Sequence, residues 1–322
     1  MHSLLVFVMD TLVTIVSGIF DNFIDPSKRV FGIYLFSAGI LALLAARFLP
    51  QFCQINFCSV YRGRAFKIDL ATDLALFFFN PFFVAMLASY LFFQEALTLE
   101  VVFWLVEYVD DDALERLFAA GQSPPFLASL SFTLLLFLVN DLSKYIVHRM
   151  LHENKYLWQV HKLHHSVTVM TPLTVFRTHP LEALLFIVRN GLVQALVIGV
   201  CYGFWGNSLT IVSYMGCNVF VLVFNVLGAN LRHSHVHLSY GRWLEGIVIS
   251  PYQHQLHHST ADEDRNCNYG VVVAIWDRLG GTLVRGRPVT KLTFGLADAE
   301  GGLQSIRWLY MQPFKMLYQK RS

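Results

Sequence analysis

The sequence predicts an all-α fold: an integral-membrane bundle of about four to six helices with a helical cap at their cytosolic ends. Three observations predict it. Long apolar runs recur along the chain, charge is scarce, and ten of the thirteen histidines fall into four clusters with helical spacing. Apolar residues make up 55% of the 322 and charged residues only 14%, against about 25% charged in an ordinary soluble domain. Net charge is +2, so bulk electrostatics name no partner and no nucleic acid is expected. The five cysteines, Cys53, Cys58, Cys201, Cys217 and Cys267, form no CxxC pair. They read as reduced apolar side chains, neither a disulfide framework nor an Fe–S set.

Residues 1–125 read as an N-terminal membrane region. Leu4 to Phe20 is short and holds Asp10, so it is expected to lie in the interface. Runs long enough to span a bilayer follow at Val30 to Leu49, Leu70 to Phe93 and Phe126 to Val147. A further pair, Leu181 to about Gly203 and Leu209 to about Leu231, is split by a short Gly/Asn turn and reads as a membrane hairpin over 181–231. Residues 126–290 form the expected catalytic domain around that hairpin, and 291–322 a C-terminal cytosolic tail. The N-terminus has neither a basic stretch nor a cleavage site, so no removable signal peptide is expected.

Loop charges orient the bundle. Arg62, Arg64 and Lys67 follow the first long span, and Asp110, Asp111, Asp112 and Glu115 lie after the second. Positive residues stay in the cytoplasm. The span from Phe126 then ends on the cytoplasmic face, where the histidines begin, and the hairpin leaves from and returns to that face. The protein is expected to be multi-pass with its site at the cytoplasmic face. The C-terminal Lys315, Lys320 and Arg321 agree.

The clusters read His148-x3-His152, His161-x2-His164-His165, His233-x3-His237 and His254-x2-His257-His258. Residues at i, i+3 and i+4 share one face of a helix, so each cluster aims two or three imidazoles at a common point. Ten such ligands are too many for one ion and about right for two. Asp141 and Tyr145 share the stripe of His148 and His152, placed to hydrogen-bond the imidazoles from behind. His161 lies half a revolution from His152 on an unbroken helix, so the chain must break near Glu153–Lys155, with Asn154 as the breaker. Ser250-Pro251-Tyr252-Gln253 offers a capping box for a short helix carrying the fourth cluster.

The third cluster also fits an extended segment, because His233, His235 and His237 alternate. As a helix it pairs His233 with His237 and leaves His235 a bystander, and this is the expectation carried forward. His179, at a Pro-capped entry to a span, is expected near the same face as a supporting group.

The clusters contain no cysteine or carboxylate ligand. Neutral imidazoles favour a divalent ion, zinc and manganese among them, and iron is the redox metal that both accepts them and activates oxygen. Two Fe2+ ions with O2 as co-substrate are expected. Placed where helix ends leave the bilayer, such a site would attack an unactivated C–H bond of a membrane lipid. The chain has no Rossmann fingerprint and no Fe–S cysteines, so electrons must come from a separate reductant.

The motifs from Asn140 to Leu283 resemble the fatty acid hydroxylase/sterol desaturase superfamily. They include His148-Arg149-x2-His152, Leu157-Trp158-x2-His161-x2-His164-His165-Ser166 and Arg177-x-His179-Pro180-x-Glu182. His233-Ser234, Pro251-x2-His254-x2-His257-His258, Asn268-Tyr269-Gly270 and Trp276-Asp277-Arg278-Leu279-x-Gly281-Thr282 continue the match. The resemblance implies a di-iron centre on His148, His152, His161, His164, His165, His233, His254, His257 and His258. His237 fills a position that is not always histidine in the superfamily. It also implies hydroxylation or desaturation of a fatty acyl chain, sterol or related lipid, with electrons from cytochrome b5, ferredoxin or a similar protein.

Two rivals come from other classes. A metal transporter would place its ligands near the bilayer midplane on broken helices. Most of these histidines instead lie at or beyond helix ends, beside Arg149, Lys155 and Lys162. A zinc-dependent membrane hydrolase would want a general-base glutamate, as in HExxH, and none lies inside a cluster.

Overall fold

A computed structural model describes residues 13, 16–48, 60–88, 94–108, 126–205, 210–214, 216–264, 266–287, 292–296, 310–311 and 313–314. The helices that matter for the site are α1 (Gly32–Phe48), α2 (Arg64–Ala88), α3 (Gln94–Tyr108), α4 (Phe126–Glu153), α5 (Lys155–His165) and α6 (Pro180–Trp205). Shorter ones follow: α7 (Val219–Val226), α8 (Gly241–Leu244), α9 (Pro251–His257) and α10 (Ile275–Leu279). The described β-structure is small, a two-stranded antiparallel hairpin of β1 (Ser213–Tyr214) and β2 (Cys217–Asn218) with Ser213 opposite Asn218, plus isolated bridges.

Two helices, Phe126–Glu153 and Pro180–Gly203, are long and apolar enough to cross a membrane. At 28 residues α4 is about 42 Å long, more than the roughly 30 Å hydrocarbon core. α1 is apolar but has 17 residues, and α2 begins with Arg64, Lys67, Asp69 and Asp73. Leu4 to Phe20 falls largely outside the described residues, as do the acidic loop and the C-terminal basic residues.

The spans pack through apolar and small side chains. Phe132 and Leu136 of α4 bury against Val197 and Cys201 of α6. Gly199 and Gly203 let α3 approach α6, because a Cβ at either would lie 2.8 Å from Val101 or Leu105. Close helix approach through small residues four apart is a familiar membrane device.

The returning arm differs from the expected span. Among the described residues of 210–233 the chain forms the β-hairpin, the eight-residue α7 and a 3-10 turn at Ala229–His233. Eight residues rise about 12 Å, too little to cross. Gly216 and Gly228 at φ +80° and +101° turn the chain where a continuous helix would need negative φ. Hydrophobicity alone had suggested a helix here.

Candidate metal centre

Four elements bring the histidines together. α4 ends at Glu153, and Asn154 caps α5 by accepting from Tyr156 N and Leu157 N, which turns His161, His164 and His165 back toward His148 and His152. Ser250 and Gln253 form the capping box that starts α9, which carries His254 and His257 and ends at His258. The 3-10 turn supplies His233.

Nine of the ten clustered histidines form two groups. His148, His152, His161, His165 and His257 make one; His164, His233, His254 and His258 make the other. Within each group the ligand nitrogens lie within 4.8 Å of one another. The groups adjoin, with the His165 and His258 rings stacked at 4.4 Å.

In the group of five, the chain holds three rings from behind. The Nδ1 of His148 meets the Tyr269 carbonyl, that of His161 the Glu182 carboxylate and that of His257 the Cys267 carbonyl, each at 2.8 Å. With Nδ1 donating, Nε2 carries the lone pair and faces inward. The Nε2 atoms of His152, His161, His165 and His257 are buried without a hydrogen-bond partner. Buried polar nitrogens are ordinarily paired, since leaving one bare costs about 1–3 kcal/mol. Four converging orphans fit a cation.

In the group of four, nitrogens face nitrogens. His233 Nε2 lies 3.3 Å from His164 Nε2, His254 Nε2 3.1 Å from His233 Nε2, and His258 Nε2 3.2 Å from His254 Nε2. An ion about 2.1 Å from each would see neighbouring nitrogens at roughly 100°, an ordinary coordination angle. The donor set is imidazole throughout, which suits iron, zinc and other borderline divalent ions alike.

Burial keeps the rings neutral, as ligation requires. It pushes His161 and His164 down to about 3. His165, His233, His254, His257 and His258 are held well below the ordinary imidazole value by burial first and by neighbouring histidines second.

Four expected site residues lie elsewhere. His237 sits in neither group: Ser234 is fully extended at φ −151°, ψ −179°, so His233 and His237 share no helical face. His237 Nδ1 meets Gln255 Oε1, while Gln255 Nε2 donates to the Leu231 and Val236 carbonyls. His235 packs on Tyr61 and Phe294. Asp141 touches no imidazole. It accepts from Val272 N at 3.2 Å, Val273 N at 2.9 Å and Trp276 Nε1 at 3.1 Å, and so ties α4 to the segment whose Tyr269 carbonyl holds His148. Tyr145 bonds Thr282 Oγ1 and accepts from Arg149; only glycine fits at 280, where a Cβ would lie 1.9 Å from the Tyr145 oxygen. His179 caps α6 by accepting from Leu181 N, and its Nε2 faces the Tyr310 carbonyl.

The supporting residues that replace them gave little or no sequence signal as supports. Glu182 is a carboxylate in the first turn of an apolar helix, costly there without a partner, and that cost was the available clue. Asp277 fixes the Tyr269–Gly270 backbone by accepting from both amides, at 2.8 and 2.7 Å. Arg177, 2% exposed, donates to Asp73 at 2.6 Å and to Asp69 at 3.0 Å. Asp69 also accepts from Thr168 and Val169. This clamp fastens α2 to the segment beyond α5.

Residues 133–282 match the family model for fatty acid hydroxylase. The chain is 32% identical over 144 residues to an ornithine lipid hydroxylase of Rhizobium tropici, covering 45% of this chain and 39% of that protein. It is 29% identical over 165 residues to a very-long-chain aldehyde decarbonylase of Oryza sativa, 51% of this chain and 58% of the relative. A third relative is a Delta(7)-sterol 5(6)-desaturase of Aspergillus fumigatus, 28% identical over 169 residues, 52% of this chain and 43% of the relative. The matched stretches thus span about two-fifths to three-fifths of these relatives. No solved structure matches the chain.

Proposed function

We propose, from the match of residues 133–282 to the fatty acid hydroxylase model, that the chain is a membrane-bound di-iron oxygenase of the fatty acid hydroxylase/sterol desaturase superfamily that hydroxylates or desaturates a C–H bond of a lipid. One observation carries this reading. Two adjoining sets of imidazoles, five and four strong and buried save for the half-buried His152 and His164, could seat two ions at the end of a helix long enough to cross a bilayer.

His148, His152, His161, His165 and His257 would hold one ion, and His164, His233, His254 and His258 the other. Bound there, iron supplies the oxygen-activating redox chemistry that C–H cleavage needs. Glu182 and the Tyr269 and Cys267 carbonyls orient three of the rings, and Asp141 and Asp277 fix the loop that carries the Tyr269 carbonyl. Burial of the rings excludes water. Hydroxylation consumes O2, two electrons and two protons, placing one oxygen in the product and one in water. The electrons would come from a separate protein such as cytochrome b5 or a ferredoxin. The site is read as cytoplasmic and the chain as multi-pass, on the charge bias of the loops.

The test joins elemental analysis of purified protein with lipid profiling of cells with and without it. Iron near two per chain, with a lipid that gains one oxygen or loses two hydrogens, is the expected result. A single zinc and a hydrolysed lipid would replace this reading with a hydrolase.

A further inference from the structure

Two cationic side chains lie together beside the histidines and the charge of a third reaches them: Arg189 donates to Asn140 and Ser143 on the turn that carries Lys144, and Arg29 acts on Lys144. Arg29 precedes α1, Lys144 lies on α4 four residues before His148, and Arg189 lies on α6; all three are half-buried. Lys144 feels repulsion from both arginines and attraction from Asp141, and the charge of Arg29 reaches His233. Burial pushes Arg29 down to about 10, which leaves it charged at neutral pH.

Three cations share one carboxylate. Asp141 is the one carboxylate acting on Lys144 or Arg189 among the described residues, and its oxygens already accept three hydrogen bonds from Val272, Val273 and Trp276. Among the described residues no ion pair within 4.0 Å joins it to either cation. Arg189 Nη1 donates only to neutral oxygens, those of Asn140 and Ser143. The Nε atoms of Arg29 and Arg189 are buried with no partner. Unpaired charge in an apolar setting is expensive and marks a partner to come. Forked donors from separate elements suit a carboxylate or phosphate.

We propose that Arg29, Lys144 and Arg189 form a pocket for the anionic head group, carboxylate or phosphate, of the lipid substrate. The pocket rests on the lipid-oxygenase reading and narrows it to acidic amphiphiles. Lys144 stands about 6 Å along α4 from His148, so the head group is held one helical turn from the metal centre.

Binding to the iron-loaded full chain in phosphatidylcholine nanodiscs tests this with three probes of one chain length: oleate, oleyl phosphate and oleyl alcohol. The two acids should bind at least ~10-fold more tightly than the alcohol. Lys144→Gln should weaken both acids by ~10-fold and leave the alcohol and the iron content unchanged, and Lys144→Arg should restore acid binding. If Lys144→Gln fails to fold, Arg29→Gln, in the loop ahead of α1, carries the same expectation. Equal affinity for all three probes, or acid binding unaltered in the variants, overturns the pocket. Inorganic phosphate binding as tightly as oleyl phosphate overturns the head-group assignment in favour of a free anion. A co-purified phospholipid that oleate does not displace overturns the substrate assignment in favour of a resident lipid. Acid preference that persists without any oxidised product supports the pocket and removes the oxygenase reading alone.

Discussion

The two histidine groups are built differently. In the group of five, backbone carbonyls and Glu182 grip three rings from behind, so the chain itself sets their direction. In the group of four, three successive nitrogen pairs stand 3.1–3.3 Å apart, and the Nδ1 atoms of His254 and His258 are buried without partners. Those rings face one another and have less behind them. The contrast teaches that one half of the centre is shaped before an ion arrives, while the other depends on the ion to reconcile crowded lone pairs.

The largest expected effect removes a ligand from each half. His257→Ala and His233→Ala should each abolish lipid oxidation and lower bound metal by about one ion per chain. Elemental analysis and product assay check this. Retention of two ions and full turnover in both variants would break the assignment of ligands. Glu182→Gln should then weaken metal binding by about 10–100-fold, read by competition with a chelator; a shift confined to less than twofold would show that His161 is oriented by something else.

Acid should separate the halves from the rest of the fold. His161 and His164 sit at about 3 when folded and near 6.5 when unfolded. The unfolded chain therefore binds more protons between those values, and the metal-free protein loses stability as pH falls from about 6.5 toward 3, by up to about 1.4 kcal/mol per ring per pH unit. Denaturant melts at stepped pH measure the slope. Chelation at neutral pH should next raise amide exchange more at 229–233, which carries His233, than at 148–152 on α4. Equal exchange at both would erase the contrast. The smallest effect belongs to Asp141→Asn, which turns one acceptor into a donor facing backbone N–H groups. It should cost about 1–3 kcal/mol of stability and keep both ions, as melting and metal content would show.

Much of the centre was legible because side-chain spacing encodes it. The i, i+3, i+4 pattern placed eight rings, Asn154 marked the break between α4 and α5, and the Ser250 box marked the start of α9. What could not be read depended on backbone. The carbonyls of Tyr269 and Cys267 leave no pattern in a sequence, so Asp141 and Tyr145 were assigned to the imidazoles when they in fact fasten the loop that bears one of those carbonyls and the end of α10. The extended backbone at Ser234 broke the His233–His237 pairing. The stretch after Leu209 is apolar enough for a span, and its glycines decided otherwise.

The Arg177 clamp has a consequence for modularity. Asp69 and Asp73 come from α2, and the packing partners of Gly199 and Gly203 come from α3, both ahead of the stretch that matches the family. A shortened protein beginning near residue 126 would lose both carboxylates that pair with Arg177 and the helix that covers it. The half that matches the family model is therefore not a portable cassette: grafted onto a foreign anchor, it would need those two aspartates supplied again.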